Sequence, residues 1–416
     1  MAKRGEPAIL LLFGLPTAAI DWQIAESWRL PAWVSLLAAA VVIVAFGAVL
    51  LLPRLRAVGS AIMAAVLYGM PVIGGIARWK LIPSPKALIG DGAYQMQLAR
   101  GVLMRGIDPY GFNYAGTGME RAPWSQPFAN PSLHHLDYWP GTIVLPLPVQ
   151  AAFRAVFGWW DERLWLLLVA AVIWIVIGRL APGPVGRMAA LAFFLIPGHS
   201  LLAVLGDNDL PMVALLLAGM LAIHRERWLL AGGLIGLAIA TKQTALIAVP
   251  VVLCWSVARG IGWHRLLQAC GLGAAVIAVL FTPFLIWNAH AFISDTIVFN
   301  LGGGTETYPI QGIGLSAWLL QIGFIHDARE AFPFFLIQLP LVVAAWVMAG
   351  RWFAQRRAIG DAIFWIGIAL FVFLFTNRFS QQAYLLLGAE LILAGLIARL
   401  WRQPDIVAEA PVPVAA

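Results

Sequence analysis

Five polar turns hold the residues of this chain that are able to do chemistry. The first opens Gly90-Asp91-Gly92-Ala93-Tyr94 and leads into an amphipathic stretch that runs to about Arg105, ahead of Gly106 and the turn Asp108-Pro109. Asp91 falls at the start of that stretch, where a helix dipole favours the ionised carboxylate. A carboxylate at a membrane surface can serve as a general base. The same spacing also fits a plain helix N-cap. The second turn, Gly206-Asp207-Asn208-Asp209, sets two carboxylates two residues apart. The third, Thr241-Lys242-Gln243-Thr244, places one lysine between two apolar runs. The fourth is the loop 289–311 with Gly302-Gly303-Gly304-Thr305-Glu306. It lacks the strand–helix context of a phosphate loop and reads as a flexible segment able to close over a substrate. The fifth, Thr376-Asn377-Arg378-Phe379-Ser380-Gln381, supplies an arginine. Lysine meets a phosphate as a point charge and arginine grips it with two bonds. Either side chain also fits simple snorkelling to lipid head groups.

Two further groups need weighing. His134-His135 with Asp137 could hold a divalent metal. Adjacent histidines share no helix face, however, so a polar interfacial pair is the plainer reading. Glu390 lies inside the last apolar run, toward its inner half, where a buried arginine is the expected partner.

The elements that must carry these turns follow from composition. Of 416 residues, 61% are hydrophobic and only 11% charged. Soluble domains carry roughly 25% charged residues, so the bilayer must be the solvent for most of this chain. The 19 tryptophans suit membrane interfaces. The net charge of +7 resides in short clusters between apolar runs, which is the pattern of membrane orientation and not of nucleic-acid binding. Cys254 and Cys270 form no disulfide framework and no metal spacing.

Apolar segments lie at 8–20, 31–52, 59–77, 139–157, 163–180, 187–205, 209–223, 228–241, 244–258, 265–288, 332–350, 360–377 and 381–400. Lipid requires each to satisfy its own backbone, so an all-α polytopic bundle of about 11–13 membrane segments is expected. Residues 1–58 form an N-terminal helical hairpin, 59–401 the main membrane domain, and 402–416 a loose cytoplasmic tail. Lys3 and Arg4 place the N-terminus in the cytoplasm, and three crossings then put the loop 78–138 outside. If 187–205 fully crosses, the later clusters fall on the wrong side, so this segment, broken at Pro197-Gly198, is expected to be a re-entrant hairpin. Arg179 and Arg187 are then external. The five polar turns would share one external face of the cytoplasmic (inner) membrane, which suggests a common site.

These motifs resemble those of a known superfamily. Asp91, Tyr94, Ala99, Gly106 and Pro109-Tyr110, followed by Tyr138-Trp139-Pro140, look like the first external loop of GT-C glycosyltransferases. Gly206-Asp207-Asn208-Asp209 and the run Ala231-Gly232-Gly233-Leu234-Ile235-Gly236 leading to Lys242 extend the likeness. Asn377-Arg378-Phe379-Ser380-Gln381-Gln382-Ala383-Tyr384 resembles the closing motif of the branch that uses polyprenyl-phosphate mannose. The resemblance implies an inverting transferase that moves a hexose or pentose from a polyprenyl-phosphate carrier to a lipid or glycan acceptor. It gives Asp91 the role of base. Tyr94, Tyr138, Asp207, Asp209, Lys242, Arg378 and Tyr384 would then contact substrates, with a divalent metal an open option. A transporter or flippase of lipid-linked sugars, or a surface-glycan polymerase or ligase, is the alternative on hydrophobicity alone.

Overall fold

In the computed structural model the described residues are 2–28, 32–82, 84–124, 128–181, 183–302 and 308–400. The Gly303–Glu306 part of the glycine-rich loop, Arg402 and the tail to 416 lie outside them. The bundle is all-α. Among the described residues seven helices are long and apolar enough to cross a membrane. The helices are α1 Gly5–Ser27, α2 Trp33–Leu51, α3 Pro53–Leu81, α4 Asp91–Leu103, α5 Pro140–Phe157, α6 Glu162–Leu180, α7 Pro184–Phe194 and α8 His199–Leu205. They continue as α9 Leu210–His224, α10 Trp228–Thr241, α11 Gln243–Ala258, α12 Trp263–Val298, α13 Leu315–Gln321, α14 Phe335–Phe353, α15 Ile359–Phe375 and α16 Gln382–Ala398. One short parallel pair joins β1 Gln311–Gly312 to β2 Phe379–Ser380.

The expected hairpin at 187–205 is corrected by its neighbours. α7 and α8 meet at a bend of 62°, with Gly198 left-handed at φ 95°. Together they run along the whole length of α1. Glu6 pairs with Arg187 at 2.8 Å, Thr17 donates to the Leu195 carbonyl at 2.9 Å, and Trp28 lies beside Val204 near Gly75. The segment is therefore a broken crossing, with its ends on opposite faces.

The error in parity arose one segment earlier. α5 has the length and hydropathy of a span, yet its first turn, its middle and the start of α6 after it all touch α4. Arg100 of α4 donates to the Thr142 carbonyl at 3.2 Å and to Gln150 Oε1 at 2.6 Å, and it pairs with Glu162. The Glu162 N–H also donates to Gln97 of α4, at 3.2 Å. So α5 returns to the face it started from, and α4 and α5 lie flat beside each other. α6 then starts on that same face, where Arg163 reaches the Leu88 and Val204 carbonyls at 2.6 and 2.9 Å. Arg179 and Arg187, expected on the loop face, are on the opposite one with Glu6. That face also gathers Arg259 beside His224, and Arg399 on Asp361.

The core follows from these crossings. Residues of α6, α7, α9, α10, α11, α15 and α16 form one buried apolar cluster. Within it Glu390 pairs with His199 at 2.9 Å, so its partner is a histidine of α8 and not an arginine. The pair sits at the break between α7 and α8, where a helix bend leaves room for side-chain polar groups.

Candidate functional site

The segment 88–91 is held where two helices end. Arg163 forms a two-pronged, fully buried pair with Asp161, both contacts at 2.8 Å, while its remaining nitrogen holds Leu88 and Val204 together. The Gly90 N–H donates to the Leu205 carbonyl at 2.6 Å. α4 starts at the next residue, so Asp91 is its first residue and Gly90, not Asp91, is the cap position. The Asp91 carboxylate accepts from the Gly92 N–H at 2.9 Å and from Asn130 Nδ2 at 3.0 Å. Burial pushes its pKa up, and the Asn130 and Gly92 bonds pull it partly back.

A cavity of about 180 Å³ opens beside it, with Asp91, Tyr138, Asp207, Asn208, Asp209 and Tyr384 among its lining. Five separate stretches of chain meet there, at 90–93, 123, 138, 202–209 and 381–384. Lys242, at the break between α10 and α11, pairs with Asp209 Oδ1 at 2.5 Å and donates to Asn208 Oδ1 at 3.3 Å. Its ammonium lies 5.4 Å from the Tyr384 ring centre and 5.9 Å from that of Tyr138, within cation–π range. Asn208 Nδ2 donates to the Tyr138 hydroxyl at 2.7 Å. Gly92 must be glycine, because a Cβ would collide with the Tyr138 hydroxyl and come within 2.6 Å of Asn208 Nδ2.

Charge at the cavity is mostly negative. Burial works against the Lys242 ammonium, but Asp209, Tyr384 and Asp207 outweigh it and hold its pKa above the ordinary lysine value. Burial and the neighbouring Asp209 raise Asp207 to about 6. Burial raises Asp137 to about 7 against the pull of Lys242, and one of its buried oxygens has no partner. These carboxylates suit hydroxyl-rich ligands, because an ionised carboxylate only accepts hydrogen bonds.

Some residues singled out in the sequence fall elsewhere. Tyr94 packs edge-on against Trp79, 5.4 Å away, and does not line the cavity. The Arg378 guanidinium donates to the carbonyls of Tyr308 (2.7 Å), Glu330 (2.6 Å) and Ala328 (3.1 Å), so its nitrogens clamp the segment 308–330. His134 is exposed, while His135 turns inward to pair with Asp295 at 2.9 Å. Among the described residues no three His, Cys, Asp or Glu come together as a group able to hold a metal ion.

The sequence reading missed Asn130, Asn208 and Asp295. Asp295, near the end of α12, also accepts from the Gly111 and Leu136 N–H groups at 2.8 and 3.2 Å. It thus ties the loop after α4 to a membrane helix. An acid trailing a long apolar run was the one available signal.

The fold defines a polytopic membrane protein, and the cavity gathers carboxylates and other polar side chains from separate stretches of it. The chain belongs to glycosyltransferase family 87, whose pattern it matches over residues 138–377, more than half of its length. It is a membrane glycosyltransferase. The match begins at Tyr138 in the cavity wall and spans Asp207, Asp209 and Lys242, while Asp91 precedes it. No curated protein matches the chain.

Proposed function

We propose that this glycosyltransferase moves one sugar, mannose or another hexose or pentose, from a polyprenyl-phosphate carrier to a lipid or glycan acceptor. The observation that carries the reading is the Asp91 carboxylate, half-enclosed in the wall of a cavity that also holds Asp207, Asp209 and Tyr384. Asp91 takes the proton of the acceptor hydroxyl. The acceptor oxygen attacks the anomeric carbon from the face opposite the phosphate, and the carbon–oxygen bond to the phosphate breaks. Polyprenyl phosphate leaves, and the sugar is inverted. A raised carboxylate pKa favours this role, since a base works best with a pKa near the working pH. Asp207 orients sugar hydroxyls. Lys242 offsets charge developing on the phosphate, and its pairing with Asp209 keeps it protonated behind the cavity wall.

Sidedness follows from charge. Arg54, Arg56, Arg179, Arg187, Arg259 and Arg399 share the face opposite the cavity, and short basic loops stay in the cytoplasm. We therefore assign both ends of the chain to the cytoplasm and the cavity to the external side of the cytoplasmic membrane.

The test is sugar transfer by membranes supplied with radiolabelled polyprenyl-phosphate sugars. Transfer that Asp91→Asn abolishes while the protein still inserts supports the reading. Full turnover in that variant removes Asp91 as the base, and activity only with nucleotide sugars removes the polyprenyl donor.

A further inference from the structure

A second and larger cavity, of about 580 Å³, lies between the far half of α4 and α5. Gln97, Arg105, Gln150, Arg154 and Trp160 are in its wall, and no acidic residue lines it. Its lining shares no residue with that of the cavity beside Asp91. This space is therefore separate from the reacting centre.

Its polar lining offers donors almost alone. Arg105 and Arg154 are exposed, and neither guanidinium has an ion-pair or hydrogen-bond partner among the described residues. Two surface arginines by themselves would only snorkel. Gln150 makes the difference, being 1% exposed. Its Oε1 is taken by Arg100 at 2.6 Å, and its Nε2 has only the Met104 sulfur, 3.9 Å away, a weak acceptor. Gln97 likewise spends its oxygen on the Glu162 N–H. A wall of two guanidinium groups and spare amide N–H bonds calls for a ligand that accepts everywhere, and a phosphate does.

The surroundings name the source. Beside Arg154, α5 exposes Val156 (74%) and Phe157 (58%), and Trp159 follows. Across the opening, Met104 and Ile107 are exposed. Cations next to bare apolar side chains on a helix lying flat mark headgroup depth, with acyl chains below.

We propose that this cavity binds the phosphate-bearing headgroup of an anionic membrane lipid, with its tails against Val156 and Phe157. The site is distinct from the sugar-transfer cavity, and the inference does not rest on the transferase mechanism.

Native mass spectrometry of the full-length protein, released from detergent with equal phosphatidylglycerol and phosphatidylcholine, tests it. The expected result is selective retention of phosphatidylglycerol. Arg105→Ala and Arg154→Ala should each weaken it about tenfold, the loss of one charge-assisted hydrogen bond. The paired lysine variant should keep the preference at lower affinity, with unchanged melting of all variants as the folding control. Equal retention of both lipids, or undiminished retention in the double alanine variant, overturns the proposal. So does binding of inorganic phosphate alone without retention of phosphatidylglycerol.

Discussion

Lys242 Nζ and Asp209 Oδ1 meet at 2.5 Å, although one residue closes α10 and the other precedes α9. Both side chains are almost fully buried. Removing one partner of such a pair strands a charge, at a cost of about 3–5 kcal/mol. Lys242→Ala and Asp209→Asn should each lower the melting temperature in detergent and reduce transfer. The apolar double variant Lys242→Met with Asp209→Leu should melt near the wild type and remain inactive. Recovery of activity in the double variant would show the pair to be purely structural.

The two candidate bases can be separated by substitution. Asp91 is the cavity-lining carboxylate, and Asp137 has a buried oxygen without a partner. If Asp91 is the base, Asp91→Asn should lower kcat by about 10²–10⁴-fold, the range of a lost general base. Asp137→Asn should then act mainly through KM. The reverse pattern would hand the role to Asp137.

The pH response has a definite sign. Asp207 at about 6 and Asp137 at about 7 both lie above the ordinary aspartate value. The folded protein therefore holds more protons than the unfolded chain between pH 4 and 7, so stability falls as pH rises through that window. Activity should climb over the same range as the carboxylates ionise, and level off above about pH 7. Asp137→Asn should leave a limb near pH 6. A rate profile flat from pH 5 to 8 would contradict a carboxylate base in this cavity.

Gly92→Ala tests the close approach to Tyr138 and Asn208. The added methyl must push both side chains aside, an overpacking cost of about 1–3 kcal/mol. Transfer should drop by about 10²-fold, as expected for a shift near 1 Å in reacting groups. Insertion into membranes should be unchanged, as measured by expression and gel filtration.

Arg378 should behave as a clamp. Arg378→Ala frees three carbonyls of the segment 308–330, and amide exchange there should rise. Arg378→Lys should fail to restore protection, because an ammonium lacks the planar fork. Unchanged exchange together with weaker donor use would place the guanidinium on substrate instead.

Much of the fold could be read from the sequence where chemistry and hydropathy disagree sharply. Lys242 between two apolar runs had to mark a break, and the helices split there. α5 misled because hydropathy alone cannot separate a span from a helix lying flat. The informative residue was Gln150, which serves Arg100 of α4, and that contact has no sequence signature. One misjudged crossing then forced a hairpin onto α7 and α8. The site showed the same limit. Acids in short turns pointed to the cavity, whereas the carbonyl partners of Arg378 and the clamp made by Asp295 depend on the folded path alone.

Asp295 has one more consequence. α12 spans 36 residues but is kinked at Asn288, whose backbone is non-helical, so its straight part runs about 38 Å against a hydrocarbon layer of about 30 Å. A helix this long answers changes in bilayer thickness by tilting. Its far end grips the loop that carries Asn130, the partner of Asp91. Asp295 stands seven residues beyond that kink, so the loop beside Asp91 is held by a short segment set off from the membrane-crossing part of α12.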